Sequence, residues 1–408
     1  MRIGIYGGTF DPPHLGHMEA ACAALGQLDL DQILLIPNAL PPHKSLPQDS
    51  ASAEHRFAMT EIMADGVGSA AVTLDLELLR KSPGYTIDTV MQLREQYPDG
   101  EFFLLMGTDM FLSFQNWYKA AEIAKEVTLA PFAREESGSY ELFAVQTEAL
   151  RAQLHAKVQP LALPKIYPIS STQIRRLLES RSTCDEGGSH LWASVYGYIL
   201  RQGLYQTRAN LRELDSDRLR AASYSMMRSK RIPHVKGVEE TAVTLARRWG
   251  ADTEKARRAA ILHDCTKYYN LEEQLAVCKK YGIVVDGPDK VSEKILHAVT
   301  GAALAAQVFG ESADVCQAIA NHTTGHPDMS TLDKVIYLAD YIEPNRSFDG
   351  VEQLRRLAFE DLDRGMLLGL TMTTAELKEK NAIIHPNTRM TLAQLKGSRL
   401  WTENDLEM

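Results

Sequence analysis

The sequence predicts an α/β domain with a parallel sheet, followed by an all-α domain built as a helical bundle. From Met1 to about Tyr205, short apolar runs rich in β-branched residues alternate with helical segments, which is typical of a parallel sheet covered by helices. From Asp217 to Lys396, apolar residues recur at helical spacing, and this pattern favours a bundle. The 408 residues are also long for a single domain, so two domains are expected.

Each strand predicted in the first half is a short apolar run that ends before a polar or glycine-rich segment. The predicted strands are residues 3–6, 32–37, 70–75, 101–107 and 126–130. Helices are predicted at residues 18–25, 51–65 and 86–97. Because ligands of parallel sheets bind beyond the carboxyl ends of the strands, the segments that follow these strands are the candidate functional regions.

The segment between the first strand and the first helix has the composition of an anion-binding site. It reads Gly7-Gly8-Thr9-Phe10-Asp11-Pro12-Pro13-His14-Leu15-Gly16-His17. Glycines let the backbone approach a ligand, and a helix N-terminus presents N–H groups and the positive end of a dipole. His14 and His17 are three residues apart, so both imidazoles can face one anion. The glycine spacing alone fits an ordinary strand-to-helix turn equally well, and no nearby residues complete a zinc site.

Three further segments carry candidate ligand-binding side chains. The proline-stiffened segment 38–44 ends in Lys44, which either holds phosphate or belongs to an exposed basic loop. Residues 107–109 and Trp117 follow the fourth strand, where a helix cap and core packing are the plain alternatives. Residues 169–175 place three hydroxyl side chains before a helix, either as caps or as a second phosphate site with an arginine clamp.

The segment from Gly7 to His17 resembles the T/H-x-G-H signature of the nucleotidyltransferase superfamily, in the form found in bacterial nicotinate mononucleotide adenylyltransferases. The likeness covers about residues 1–206. Besides the signature it includes residues 42–44, 85–89, 107–109 with Trp117, 131–134 and 169–175. It implies a Rossmann-like domain that transfers AMP from ATP, with Mg²⁺, to nicotinate mononucleotide, giving deamido-NAD and pyrophosphate. Residues 182–189 depart from the family, which usually has a short loop here.

The resemblance also implies individual roles in the first half. The residues implied in ATP binding are Gly7, Gly8, Thr9, Phe10, His14, His17, Ser171, Thr172 and Arg175. The implied catalytic residues are His14, His17, Lys44 and Arg175. The implied mononucleotide-binding residues are Tyr85, Thr86, Asp109, Trp117 and Arg134. Imidazoles, cations and helix N-termini suit adenylyl transfer, because the substrate supplies the attacking phosphate and the protein stabilises charge. No carboxylate pair for Mg²⁺ is apparent, so this ion is expected to arrive with ATP.

Several histidines of the second half fall on apolar helical stripes. His263, His297 and His322 each share a stripe with small or aliphatic residues, and Asp264 and Asp340 lie beside such stripes. A single histidine on an apolar face is usually a satisfied core residue. Three of them, together with two acids, predict a metal site inside the bundle, because buried ionisable groups must pair or bind metal.

The order of His234, His263-Asp264 and Asp340 resembles the H…HD…D motif of the HD phosphohydrolase superfamily. The neighbouring segments 231–238, 261–267, 321–325 and 338–346 are similar to the bacterial HD family that cleaves diadenosine tetraphosphate symmetrically into ADP, over about residues 215–395. The metal ligands implied for iron or another divalent transition metal are His234, His263, Asp264 and Asp340. The nucleotide contacts implied are Lys267, His297, His322, Thr323 and Arg346.

Alternative functions stay open for both halves. The first half is also compatible with a transferase acting on pantetheine phosphate or on a CTP-activated alcohol. The second half is also compatible with a 5′-nucleotidase, a dNTP hydrolase, or a nucleotide sensor that regulates the transferase. The predicted organisation is a transferase domain at residues 1–206, a linker at 207–216, an HD domain at 217–396 and a tail at 397–408.

Composition and charge restrict the class of partner. The net charge of −9 disfavours a nucleic acid, so nucleotide binding must come from local pockets. The five cysteines are scattered and odd in number, which suits a reducing cytoplasm. No apolar run approaches membrane-spanning length and the chain begins with a strand, so neither membrane contact nor a signal sequence is expected. The oligomeric state is left open, with a homodimer as the candidate assembly.

Overall fold

The computed structural model describes residues 1–38, 47, 49–78, 84–133, 139–285 and 292–398. The chain divides into two compact units, Met1–Arg208 and Ala209–Met408. Their boundary lies inside the segment predicted as a linker. The predicted segment 42–44, Arg134 and all but the first two residues of the predicted tail 397–408 lie outside the described residues.

The described part of the first unit contains a six-stranded parallel sheet. Its strands are β1 Arg2–Gly8, β2 Gln32–Pro37, β3 Ala71–Thr73, β4 Glu101–Gly107, β5 Val127–Phe132 and β6 Lys157–Val158. They are ordered β3-β2-β1-β4-β5-β6, and every neighbouring pair is parallel. The chain extends from β1 toward one edge through β2 and then returns to the other side through β4. A ligand crevice is therefore expected at the carboxyl end of β1, where the direction of winding reverses.

Helices follow most strands of this sheet. They are α1 Leu15–Gln27, α2 Ala53–Val67, α3 Thr86–Gln96, α4 Thr108–Leu112, α5 Ala120–Glu126, α6 Ser139–Leu154, α7 Ser171–Glu179, α8 Cys184–Ser189 and α9 Ala193–Gln202. The predicted α/β class and five predicted strands are confirmed. The sixth strand, β6, has only two residues, which is too short to give an alternating or continuous apolar pattern.

Residues 182–189, which depart from the expected family pattern, contain the short helix α8. Gly187 and Gly188 are buried within it. A Cβ at Gly188 would lie 2.7 Å from the ring of Tyr196, so glycine is needed for this close approach. The glycines therefore serve helix packing here and do not form an open loop.

The described part of the second unit is helical, without strands. Its helices are α10 Ser216–Tyr224, α11 Ile232–Trp249, α12 Thr253–Leu262, α13 Leu271–Tyr281, α14 Glu293–Gln307, α15 Ala313–Asn321, α16 Thr331–Ile342, α17 Val351–Glu360, α18 Leu362–Glu379 and α19 Pro386–Ser398. The predicted all-α class is confirmed. Among the helices of the described residues, none combines the length and apolar character needed to cross a membrane.

The segment predicted as a linker contributes to the second unit. Leu214 is buried in the apolar core of that unit, and its carbonyl accepts a 2.9 Å hydrogen bond from Arg258. Asp215 caps α10 by accepting from the N–H of Arg218. The polar composition of residues 207–216 predicted only a linker. Burial of the single Leu214 is nevertheless enough to hold so short a segment against the core.

Candidate functional site

The turn after β1 brings two imidazoles together at the start of α1. His14 is the N-cap residue, and its Nδ1 accepts from the N–H of Gly16 at 3.1 Å. The Nδ1 of His17 accepts in turn from the N–H of His14 at 3.2 Å, and the ring centroids are 3.8 Å apart. Because both Nδ1 atoms accept, each neutral ring carries its proton on Nε2 and presents that atom as a donor. The pair can therefore donate to an anion.

A second helix N-terminus contacts the same turn. Ser170 caps α7 in a reciprocal capping box with Gln173, and Ser171 Oγ donates to the carbonyl of Pro12 at 3.0 Å. Thr172 lies in the first turn of α7 and is exposed. The structure thus joins the predicted 169–175 segment to the Gly7–His17 turn. A crevice beside them is lined by Tyr6, His14, Gly16, His17, Phe132, Ala133, Leu163, Ile166, Tyr167 and Ile169.

Arg175, predicted as a phosphate clamp, is buried and held by protein groups. Its Nε donates to Asp49 Oδ2 at 2.8 Å, and its Nη1 donates to the carbonyl of Asp11 at 2.9 Å. The pKa of Asp49 is lowered, first by the hydrogen bond from Arg175. The Arg175 side chain therefore holds the Gly7–His17 turn in place through the carbonyl of Asp11. Its contact with ATP phosphates stays a prediction.

Sequence reasoning missed three residues that support this turn. Arg56 is fully buried and donates to the carbonyl of Thr9 at 2.9 Å and to that of Asn38. Asp11 accepts from the hydroxyl of Tyr205 at 2.7 Å and from the N–H of Ala51. Asp11 lay within the quoted signature without a role, whereas no local pattern distinguishes Arg56 or Tyr205 from ordinary helix and loop residues.

Three of the predicted mononucleotide-binding residues lie at the starts of two helices beyond the strands. Tyr85 occupies the N-cap position of α3, its ring centroid lies 4.6 Å from that of Tyr118, and Thr86 begins that helix. Asp109 is exposed in the first turn of α4, directly after β4. Trp117 is half-buried and its ring packs 5.3 Å from that of Phe114. Their predicted contacts with a mononucleotide stay predictions, as does the role of Lys44 and Arg134.

In the second unit, the four predicted metal ligands converge. His234 Nε2 lies 3.0 Å from Asp340 Oδ1 and 3.9 Å from Asp264 Oδ2. His263 Nε2 lies 3.4 Å from Asp264 Oδ2 and 3.9 Å from Asp340 Oδ1. His263 and Asp264 are fully buried. We call these four side chains, from α11, α16 and the turn after α12, the HD cage.

The imidazoles of the HD cage are oriented by bonds on their far sides. His234 Nδ1 lies 3.0 Å from Glu343 Oε1, and His263 Nδ1 lies 2.7 Å from the carbonyl of Ala260. Since both partners are acceptors, both Nδ1 atoms carry protons, and in the neutral, metal-binding form of each ring the Nε2 lone pair points into the cage. Across the 3.0 Å separation, a nitrogen lone pair of His234 then faces a carboxylate oxygen of Asp340. A cation placed among these atoms would satisfy them.

The donor set of the HD cage fits a divalent transition metal. Two imidazoles and two carboxylates suit iron, manganese or zinc. Within the described residues, His234 Nε2 and His263 Nε2 are buried and have no hydrogen-bond partner. Burial raises the pKa of Asp264, but the neighbouring His263, His297 and Lys267 lower it further, so it stays well below its usual range. Asp264 is therefore available as an ionised ligand.

Glu343 is a supporting residue that sequence reasoning missed. It is buried, and its Oε2 accepts from the N–H and the side-chain amide of Asn345 at 2.7 and 2.9 Å. A Cβ at Gly237 would lie 2.3 Å from Glu343 Oε2, so glycine at this position of α11 makes room for the carboxylate. The signal was an acid three residues after Asp340, a helical spacing that places both on one side of the chain.

The predicted nucleotide-contacting residues surround the HD cage. Arg346 donates to Asp340 Oδ1 at 2.8 Å, and Lys267 Nζ lies 3.1 Å from His297 Nε2. His297 Nε2 lies 3.2 Å from His322 Nε2, and Thr323 Oγ1 lies 3.2 Å from the same atom of His322. Their predicted contacts with a nucleotide stay predictions.

Two electrostatic features complete the surroundings of the cage. Arg231 was not assigned a role from sequence, yet its Nε donates to Asp264 Oδ2 at 2.6 Å. Burial, with the nearby His297 and His263, lowers the pKa of His322 to about 3. Its imidazole is therefore neutral near pH 7. The site combines fixed guanidinium and ammonium cations with the neutral imidazole of His322, an arrangement suited to a polyphosphate.

Fold and site define the class of each unit. The first is a nucleotidyltransferase-type α/β domain with paired imidazoles at a helix N-terminus, and the second is a helical domain with an HD cage. The cytidylyltransferase-like family matches residues 5–177, and the HD domain family matches residues 231–345. The first match contains the paired imidazoles and the start of α7, and the second contains the HD cage.

Sequence relatives assign each half of the chain to a narrower family. The "Probable nicotinate-nucleotide adenylyltransferase" of Carboxydothermus hydrogenoformans is 34% identical over 206 residues, covering 50% of this chain and 98% of that protein. The "Bis(5′-nucleosyl)-tetraphosphatase, symmetrical" of Halalkalibacterium halodurans is 43% identical over 170 residues, covering 40% of this chain and 88% of that protein. The chain belongs to both families, the nicotinate-nucleotide adenylyltransferases through its first half and the symmetrical tetraphosphatases of the HD type through its second.

A solved structure also matches the second half. It is described as a predicted HD superfamily hydrolase involved in NAD metabolism from Clostridium acetobutylicum. Sequence identity is 38%, the TM-score is 0.45, and the match covers 46% of this chain and 99% of that one.

Proposed function

We propose that the chain is a bifunctional enzyme. Its first unit transfers AMP from ATP to nicotinate mononucleotide, giving deamido-NAD and pyrophosphate. Its second unit hydrolyses diadenosine tetraphosphate symmetrically to two molecules of ADP. The observation that supports both assignments is that each half matches nearly the whole length of a relative with that activity in its name, while carrying its own assembled site.

In the first unit, the protein's contribution is positioning and charge stabilisation. The phosphate of the mononucleotide attacks the α-phosphorus of ATP, and the bond to the leaving pyrophosphate breaks. The Nε2–H groups of His14 and His17 and the N-termini of α1 and α7 would stabilise the charge that develops on the phosphates. Arg175 and Arg56 hold the turn in place through main-chain carbonyls. Mg²⁺ would accompany ATP and neutralise its phosphates.

In the second unit, His234, His263, Asp264 and Asp340 would hold iron or manganese. When bound, such a metal lowers the pKa of a water molecule and polarises a phosphoryl group. Water attacks one of the two central phosphorus atoms, and the bond to the bridging oxygen between them breaks, so that ADP leaves and a second ADP remains. Arg231, Lys267 and Arg346 would neutralise phosphate charge. Glu343 would keep the Nε2 of His234 directed into the cage.

The partners that follow from this proposal are small nucleotides, with neither nucleic acid nor membrane required. The homodimer and the cytoplasmic location stay predictions. The test is to assay the purified full chain for pyrophosphate and deamido-NAD with ATP, Mg²⁺ and nicotinate mononucleotide. A parallel assay with Fe²⁺ or Mn²⁺ follows diadenosine tetraphosphate, and ADP must be its sole nucleotide product. Absence of the first pair of products, or AMP and ATP in the second assay, would refute the corresponding half of the proposal.

A further inference from the structure

Helix α19 packs against the turn that follows α15. Its residue Thr388 is buried, with 3% of its surface exposed, and Thr388 Oγ1 donates to the carbonyl of Thr324 at 2.7 Å. Thr324 comes directly after His322 and Thr323, both of which are predicted nucleotide contacts. The hydroxyl of Thr388 therefore joins a helix that is remote in sequence to a turn of the candidate site.

The start of α19 determines where that hydroxyl lies. Pro386 is the first residue of the helix, a position that proline favours because its missing N–H would have no partner there. His385 Nδ1 accepts from the N–H of Asn387 at 3.1 Å, as a capping side chain does. These two local features fix the beginning of the helix and place Thr388 in its first turn.

The turn of residues 321–325 closes around a glycine in the left-handed region. Gly325 has a φ of 67°, and its N–H donates to the carbonyl of Asn321 at 2.9 Å. A Cβ at Gly325 would lie 3.4 Å from Thr391 Oγ1, so α19 and the turn approach each other closely. A buried carbonyl needs a donor, and for Thr324 the hydroxyl of Thr388 supplies one.

The imidazole of His322 takes its position from this turn. His322 Nδ1 lies 2.7 Å from the carbonyl of Ile319, which orients the ring. His322 Nε2 lies 3.2 Å from His297 Nε2 and 3.2 Å from Thr323 Oγ1. Because His322 and Thr323 belong to the turn, a shift of its main chain would move both side chains relative to the rest of the site.

We propose that Thr388 is a positioning residue for the reaction of the second unit. Its hydroxyl holds the 321–325 turn and thereby sets the distance from His322 to the substrate phosphate. This inference rests on the proposed hydrolase function and gives Thr388 no contact with substrate or metal. A displacement of about 1 Å in a reacting geometry can cost roughly 10²-fold in rate. Loss of one hydrogen bond behind the turn should therefore be visible in kcat.

The test compares two buried threonines of the same helix in the full chain. Thr388→Val keeps the side-chain shape, and kcat for diadenosine tetraphosphate should fall about tenfold, with KM and metal content within about twofold. Thr388→Ser restores a hydroxyl and should return kcat to within about twofold of the unchanged protein. The matched control is Thr391→Val, because Thr391 is equally buried but donates to the carbonyl of Asn387 in its own helix. The control should leave kcat unchanged.

A double variant tests whether Thr388 acts through His322. When His322→Ala has already lowered kcat, adding Thr388→Val should cause no further fall, since the group being positioned is absent. The proposal is overturned if the two losses multiply, if Thr388→Val keeps full kcat, or if Thr391→Val loses as much.

A measurement without substrate separates this proposal from the hydrolase assignment. Hydrogen exchange of the amides of residues 321–325 should be faster in Thr388→Val and unchanged in Thr391→Val. If the unchanged protein cleaves no diadenosine tetraphosphate, the hydrolase assignment fails and exchange alone decides whether Thr388 holds the turn. Unchanged exchange in Thr388→Val would overturn the proposal. If circular dichroism shows that Thr388→Val does not fold, Thr388→Ala replaces it and is judged by the same criteria.

Discussion

The two sites of this chain prepare for phosphate in opposite ways. The turn of the first unit uses helix N-termini and two imidazoles, and its buried arginines are engaged by carbonyls and carboxylates of the protein. The HD cage of the second unit instead collects imidazoles and carboxylates whose lone pairs face one another. The first arrangement holds its buried arginines with acceptors of the protein, whereas the second leaves facing lone pairs to be satisfied by a cation. The first site is organised mainly by backbone groups and does not depend on a metal for its arrangement. The HD cage is organised by buried side chains and depends on a cation.

The difference between the two sites is tested most directly by removing Asp264, the central ligand of the HD cage. Asp264→Ala should abolish metal binding and lower hydrolysis of diadenosine tetraphosphate by roughly 10³-fold or more, because the activated water is lost. Metal content and ADP release are measured on the same preparation. Adenylyl transfer by the first unit serves as the internal control and should be unchanged. Retention of full metal content would contradict the assigned ligand set.

The reciprocal change tests the first site. His17→Ala removes a donor aimed at phosphate charge, so the kcat of adenylyl transfer should fall by roughly 10²–10³-fold. Pyrophosphate release with ATP and nicotinate mononucleotide measures the effect. Hydrolysis by the second unit should keep its rate and metal content. An unchanged kcat would show that the imidazole pair does not act on the transition state.

A smaller effect is expected from changing Glu343, which orients an imidazole of the HD cage from its outer side. Glu343→Gln weakens the acceptor that orients His234, and metal affinity should fall about 10–100-fold. Gly237→Ala should act in the same direction, because its new Cβ meets the carboxylate of Glu343. Competition with a fluorescent chelator measures the dissociation constant. If both variants bind metal as the unchanged protein does, Glu343 has no positioning role.

Glu239, a buried acid outside the metal site, contributes to the stability of the second unit. Glu239 accepts from Arg220 at 2.6 and 2.8 Å and from Arg257 at 2.7 Å. Burial raises its pKa, but these arginines outweigh burial and lower it below the ordinary value of 4.5. Glu239→Gln should cost about 2 kcal/mol of unfolding free energy at pH 7.

The pH dependence of that cost has a definite sign. Because the folded pKa of Glu239 is depressed, its contribution is complete above the unfolded pKa and is lost as pH falls through the folded pKa. Urea unfolding of the two proteins should therefore differ at pH 7, and the difference should shrink as pH falls below the ordinary glutamate range, about pH 4. A difference that does not shrink toward acid pH would show that packing, and not ionisation, is responsible.

The smallest effect is expected from separating the units. Residues 1–208 and 209–408 each form a compact body, so each fragment should keep its activity within about twofold. The two assays are run on the fragments and on the full chain. Dependence of either activity on the other half would contradict the functional independence of the two sites.

Fold class and most of the site were predictable because their signals are local. Alternation of apolar runs and helices identified the sheet, and the stripes that carry His263, His297 and His322 placed imidazoles inside the bundle. His14 and His17 follow from one short segment that spans a strand end and a helix start. These features depend on residues that are neighbours in the sequence, so a single sequence is enough to predict them.

The rest depended on contacts between distant positions. Arg56 supports Thr9 from 47 residues away, and Glu343 supports His234 from 109 residues away. No local pattern marks a helical arginine as the partner of a particular turn. The spacing of Glu343 from Asp340 indicates a shared side of the chain but does not identify His234 as the partner. The two-residue strand β6 was missed for another reason, since it is shorter than any periodicity.

The bond between Tyr205 and Asp11 joins the end of the first unit to its beginning. The hydroxyl of Tyr205 reaches a carboxylate in the signature turn, 194 residues earlier, within a buried setting. This bond constrains where the first unit can be joined to a second one. A junction placed upstream of codon 205 would have removed a support of the signature turn, whereas one placed after it would leave the turn intact. The observed boundary, after Arg208, satisfies that constraint with three residues to spare.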